Sequence, residues 1–285
     1  MKENGARQLG ISGFSLVEIA VVLVIISVLV TIVAVPIATQ IEQKRSEETL
    51  KQFELIKEAL MGFAAAKGRL PCPATTTMPT NFGQERFCTT ASGACTPTTT
   101  EQVHGRCESN VGFLPAVTLG VSPVDANGFA LDAWGLTQNR IRYAVANPVI
   151  VGGSFASCPS TTKTNVFTTP PTDTEGIRAV TMSCLAEVAT LLTVCGVKPT
   201  GAAGTATGCA TPLATKAPFV LLSMGKNASA GSTGTDEAHN VDTDGYFVSH
   251  IPTVTSSASG EFDDIVTWGS LNTLFARMVQ AGKLP

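Results

Sequence analysis

Between Ile19 and Ile41 the chain places no charged residue. The stretch reads as a helix apolar on every face, longer than the roughly 20 residues needed to cross the hydrocarbon core of a bilayer. Beyond Glu42 the pattern changes without breaking. Leu50, Phe53, Ile56, Leu60 and Phe63 recur at three- and four-residue spacing, while Lys51, Glu54, Lys57 and Glu58 fall elsewhere around the axis. That periodicity predicts a continuing amphipathic helix over 42–68, which buries one stripe and stops near Gly68, ahead of Leu70-Pro71. Pro36 removes one helical hydrogen bond from the apolar half, which predicts a kink or a locally melted turn.

The rest of the chain alternates loop-like and strand-like stretches. Residues 71–123 show little periodicity and carry Thr75-Thr76-Thr77 and Thr96-Pro97-Thr98-Thr99-Thr100. Leu131-Asp132-Ala133-Trp134-Gly135 reads as a turn, and Arg140–Val145 alternates as a strand. Residues 152–216 are rich in Gly, Ser, Thr and Pro and read as an insertion between core strands. Within them Ala179–Cys184 is a candidate strand, and Val188–Val197 fits helix or strand. Pro218–Ser223 has the composition of a buried strand, and Gly245–His250 reads as another. Ser270 can cap a last helix with an apolar face of Leu271, Leu274, Phe275 and Met278 and a stop at Gly282. The fold class expected is α+β. A long N-terminal helix, its membrane half followed by its amphipathic half, packs on an antiparallel β-sheet head with insertions at about 71–123 and 152–216.

Composition changes this picture in one respect. Of the 285 residues only 14% are charged, against about 25% in an average soluble domain, so Ser, Thr, Gly and Asn must build the surface. The net charge of −3 gives no sign of nucleic-acid binding. The cysteines say more. Cys72, Cys88, Cys95, Cys107, Cys158, Cys184, Cys195 and Cys209 all follow the apolar helix, an even count that fits a disulfide framework in an oxidising compartment. Local pairing within 72–107 and separately within 158–209 is preferred, the connectivity staying open. A zinc site is the poorer reading, because Cys88-x6-Cys95 and His104-x2-Cys107 lack paired CxxC spacing. Basic residues near the span, with Lys44, Arg45, Lys51 and Lys57 outnumbering Lys2 and Arg7, would place the large domain in the cytoplasm. The cysteines, and the acids interleaved with those basic residues, argue for the opposite side.

The chemistry of the N-terminus starts with one acid. Glu18 stands alone at the edge of the apolar block, where a carboxylate costs about 2.5–3.5 kcal/mol unless it lies near the interface or meets a cation. An ordinary secretory signal is one reading, with Lys2 and Arg7 as its basic region. The apolar run is too long for it, and Pro36-Ile37-Ala38 is a poor cleavage site. A plain single-span anchor is another. The leader ending in Gly13, then Phe14-Ser15-Leu16-Val17-Glu18, then an unbroken apolar helix resembles the class III signal of type IV pilins and type II secretion pseudopilins.

The resemblance implies a leader of residues 1–13, cut by a prepilin peptidase between Gly13 and Phe14, with Phe14 N-methylated. It implies an inner-membrane precursor over 14–41, with residues 69–285 as a periplasmic head. The subunit then packs into a pilus or pseudopilus against other subunits. Glu18 would set the register, since the ammonium of a neighbour's Phe14 can compensate a buried carboxylate. Asp132-Ala133-Trp134-Gly135 resembles the Asp-Pro-Trp-Gly segment of pseudopilin heads, with Ala133 in place of the proline. Size and insertions point to a minor subunit. A tip adhesin or substrate-recruiting subunit whose insertions contact a surface, DNA or a secreted protein is the alternative, and a non-assembling envelope protein is a third reading.

One loop has candidate metal chemistry. Asp236, Asp242 and Asp244 precede Gly245, and alternate oxygen side chains of this kind can wrap a Ca²⁺ ion. No bidentate Glu follows at the EF-hand spacing. Major pseudopilins bind calcium in a loop at a comparable place, so the resemblance makes calcium the one candidate cofactor. A solvated turn between two strands is the competing reading. Catalysis is not expected: His104, His239 and His250 are the only histidines, and no Gly-x-Ser-x-Gly elbow, P-loop or dinucleotide fingerprint occurs.

Overall fold

The computed structural model describes residues 15–188, 191–231 and 234–284, without the side chains of residues 31–38 and 230. Two compact units divide the chain, Met1–Lys44 and Arg45–Pro285. The leader 1–13, Phe14 and the side chain of Pro36 lie outside the described residues.

Helix α1 is Leu16–Lys67. Its first part is the described content of the first unit, and Leu16, Leu23, Val24 and Val30 are each more than half exposed there. The expected fold class is corrected at this point. Among the described residues no helix is long and apolar enough to cross a membrane. The described apolar stretch, Leu16–Val30, runs 15 residues.

In the second unit the same helix buries Thr49, Phe53, Ile56, Leu60 and Ala64, each 0% exposed, while Leu50 is 49% exposed. The expected stripe is therefore rotated at its start, because Thr49, one position earlier, faces inward. Gly68 ends the helix with φ at 74°, its N–H donating to Ala64 O at 2.8 Å.

The head corrects the single antiparallel sheet as well, since among the described residues its strands form three sheets. The first sheet orders β3 (Val111–Phe113), β4 (Arg142–Val145), β7 (Phe219–Ser223) and β9 (Ile265–Trp268), with every neighbour antiparallel. Phe53, Ile56 and Leu60 share one core with its Tyr143 and Leu221 and with Leu274. The second sheet orders β6 (Pro212–Ala217), β5 (Leu192–Cys195) and β8 (Tyr246–Val248), and β5 pairs with β8 in parallel. The third is the two-residue pair β1 (Phe87–Cys88) and β2 (Pro97–Thr98). The physical reason is edge occupancy. Strand β7 has β4 on one side and β9 on the other, so β8 finds no free edge there and pairs with the strand that the 152–216 insertion supplies.

Other local expectations shift in the same region. Ala179–Cys184 is not a strand. A 3₁₀ turn at Ile177–Ala179 leads into helix α3 (Met182–Glu187), with Thr181 Oγ1 accepting the Cys184 N–H. Helix α2 (Ala116–Leu119) and helix α4 (Glu237–Asn240) are single turns. Helix α5 (Leu271–Gln280) buries Leu271, Leu274, Phe275 and Met278 as the spacing predicts, although Ser270 makes no side-chain capping bond.

Four disulfides cross-link the head: Cys72–Cys107, Cys88–Cys95, Cys158–Cys184 and Cys195–Cys209. All fall within the two expected groups. The first two hold the loop-like stretch around β1 and β2, and the last closes the β5–β6 connection.

Candidate functional site

Between β7 and β9 the chain folds α4, β8 and their flanking loops into a dense carboxylate region. Asn240, 0% exposed, organises it. Its Oδ1 accepts the Val248 N–H at 2.7 Å, and its Nδ2 donates to Val248 O at 3.1 Å and to Asp264 Oδ2 at 2.8 Å. The side chain thus pairs with β8 as a neighbouring strand would, and it fixes α4 beside the start of β9.

Two groups of acids result. In the first, Glu237, Asp263 and Asp264 bring carboxylate oxygens within 4.8 Å of one another. Glu237 Oε1 accepts from Asn227 Nδ2 at 3.0 Å and from the Asp263 N–H at 3.1 Å. Asp263 Oδ2 accepts the N–H groups of Lys226 and Asn227 at 2.8 and 3.1 Å. Burial, then the charge of Glu237, pushes Asp263 up to about 7 against the pull of those two N–H bonds. Burial also holds Asp264 well above the usual carboxylate range, with Glu237 and Asp263 adding to it and Asn240 and Arg142 opposing.

The sign of the consequence follows from linkage. Unfolded aspartates titrate near 4, so between about pH 4 and 7 the unfolded chain releases protons that the folded head keeps. The head is expected to be most stable in mild acid and to lose stability as pH rises through 7. Thermal unfolding at pH 5 and pH 8 reads this, and Asp263→Asn should flatten the difference. A melting temperature that rises toward pH 8 would count against the assignment.

The second group is His239, Asp242 and Asp244, whose candidate ligand atoms also lie within 4.8 Å of one another. Asp242 Oδ2 accepts the Gly204 N–H at 2.7 Å, and Asp244 Oδ2 accepts the Ala206 N–H at 2.8 Å. Their Oδ1 atoms accept the N–H groups of Asp244 and Tyr246, each at 3.0 Å. The pair therefore holds the turn at 200–208 of the insertion against the loop after α4.

Of the three acids expected to hold calcium, Asp242 and Asp244 come together and Asp236 does not. Asp236 Oδ2 lies 3.1 Å from His250 Nε2, and the His250 ring stacks on Phe262 at 3.9 Å. Glu237 stands in the loop read as a calcium candidate without being chosen as a ligand, and Asp263 and Asp264 carried no ligand signal. Asp263 lies 26 residues after Glu237, a separation that matches no ligand motif. His239 was visible in the loop, but only its burial at 1% exposure distinguishes it.

The remaining sites can be placed briefly. Glu18 Oε2 accepts the Ser15 N–H at 2.9 Å, an N-terminal capping contact on α1. Asp132 is a structural turn acid: Oδ1 accepts the Trp134 N–H at 2.9 Å, and Oδ2 accepts Asn139 Nδ2 and the buried Ser223 hydroxyl. An open groove of about 550 Å³ runs between β6 and the start of α5, lined by Leu213, Thr215, Lys216, Trp268 and Ser270 among others.

No family model, no curated protein and no solved structure matches this chain. The functional reading therefore rests on its own residues.

Proposed function

We propose that the chain is a structural subunit of a type IV pilus or type II secretion-like filament, synthesised as a prepilin. A prepilin peptidase cuts it between Gly13 and Phe14 and Phe14 is methylated. Assembly then proceeds through the apolar start of α1. The observation that carries this reading is the surface of Leu16–Val30. Ile19, Val22, Ile26 and Val28 are 50–52% exposed and Leu16 is 84% exposed, so the helix presents apolar side chains all round. A contiguous apolar surface of that kind is not stable against water and needs a cover. Membrane lipid supplies it before assembly, and the same segment of neighbouring subunits supplies it afterwards. Glu18, the one ionisable group in that stretch, fits a contact that brings a cation, and an unmethylated or methylated Phe14 amine is the cation the processing creates.

The four disulfides support a head on the oxidising side of the envelope, consistent with a periplasmic position before assembly. The groove beside β6 favours a second reading, a minor subunit that also holds a ligand at a filament end. Stoichiometry distinguishes the two, because an end subunit is present once per filament.

The deciding measurement is the mass of the N-terminal peptide of the protein recovered from host membranes. A peptide that begins at methylated Phe14 is expected. An intact Met1 leader, or a start after Ala38, would sink the proposal.

A further inference from the structure

The buried histidine of the second acidic group has no role in the contacts described above. His239 is 1% exposed, and its Nδ1 has no hydrogen-bond partner among the described residues. Leaving such a nitrogen unpaired in the interior costs about 1–3 kcal/mol, so its surroundings need an explanation. The atom Nδ1 faces is Asp242 Oδ2, at 3.6 Å. That separation is too long for a hydrogen bond. It is close to the ~3.4 Å between two ligands of a tetrahedral metal ion bound at 2.0–2.1 Å from each.

We propose that His239 Nδ1, with one carboxylate oxygen each from Asp242 and Asp244, forms a three-ligand site for a divalent transition metal of the zinc class. The donor set decides the class. Calcium takes six to eight oxygen ligands, whereas one imidazole nitrogen with two carboxylates suits Zn²⁺ and its first-row neighbours. The carboxylates are held for the task. Each of their oxygens accepts one backbone N–H, from Gly204, Asp244, Ala206 or Tyr246, and each keeps a lone pair for an ion. Such outer contacts orient metal ligands and add to affinity. Asp242 and Asp244 are partly exposed, which gives the ion an entry path and leaves a fourth position for water. Bound there, the ion would clamp the turn at 200–208, inside the Cys195–Cys209 loop, to α4. The insertion would then be fixed by a metal as well as by a disulfide.

The test uses the full chain in detergent, disulfides intact, stripped of metal with a chelator. Co²⁺ titration followed by visible d–d absorption, with Zn²⁺ competition by calorimetry, is expected to show one equivalent bound with nitrogen and oxygen ligation. His239→Gln should weaken binding by more than about tenfold, the scale on which even outer contacts act, and His104→Gln should leave it unchanged. Because His239 is buried, Asp244→Asn provides a partly exposed second variant, expected to lose affinity by a similar factor with an unchanged circular dichroism spectrum. The absence of stoichiometric Zn²⁺ or Co²⁺ binding to the unaltered chain would overturn the proposal. So would wild-type affinity in a folded Asp244→Asn chain, or displacement of Zn²⁺ by an equal concentration of Ca²⁺.

Discussion

Replacing Arg69 by alanine is expected to destabilise the head by about 3–5 kcal/mol, a large fraction of the 5–15 kcal/mol by which a domain of this kind holds together. Arg69 follows the end of α1 and is 1% exposed. Its guanidinium forms two parallel bonds to Glu85, Nη1 to Oε2 at 2.8 Å and Nη2 to Oε1 at 2.9 Å, and contacts Glu101. The same group lies 5.2 Å from the Phe63 ring centre and 5.1 Å from that of Phe87. Removing it leaves the Glu85 carboxylate buried with far weaker compensation, the Cys72 N–H at 3.2 Å among it. An uncompensated buried charge costs more than the pair contributed. Lysine should not rescue the variant, because it cannot form the two parallel bonds. Urea unfolding of the oxidised head reads the effect, and a loss under about 1 kcal/mol would mean that the ion cluster is solvated and structurally idle.

Replacing Glu18 by alanine is expected to abolish incorporation into filaments while leaving the head folded. Within one chain the carboxylate accepts only the Ser15 N–H among the described contacts, a capping bond worth about 1 kcal/mol at a helix end. A loss of that size cannot remove a subunit from an assembly. Complete exclusion therefore requires that Glu18 meets a charge on another chain, as the proposed function demands. Filaments sheared from cells that express the variant, quantified against the membrane pool, give the answer. Incorporation at the level of the unaltered chain would leave Glu18 as a helix cap and remove the assembly argument.

Much of the fold was legible because its signals are local. The three- and four-residue spacing of Phe53, Ile56 and Leu60 marks a helix that buries one face, and those side chains are buried. The apolar run at Phe219–Ser223 reads as a buried strand because only a central strand needs both faces apolar, and β7 is fully buried between two neighbours. The cysteines divide into two sequence neighbourhoods, and the bridges respect that division.

Where local signals conflicted, tertiary contact decided. Ala179–Cys184 has strand-like residues, but Thr181 caps a helix there, and β5 forms a few residues later where β8 can pair with it. No periodicity could have shown that the 152–216 insertion contributes the central strand of a second sheet. A free sheet edge is a property of the assembled fold.

The candidate site divides along the same line. Sequence by itself determined the composition of the 236–245 loop, its run of oxygen side chains and its glycine, and the alternation of an apolar helix with one acid at its start. Only the tertiary structure decided that Asp236 turns to His250, that Asp263 and Asp264 join Glu237, and that His239 faces Asp242 with its nitrogen unpaired. The physical reason is range. Helix and strand patterns act over a few residues, whereas Asp263 meets Glu237 across 26 positions and His250 meets Asp236 across 14.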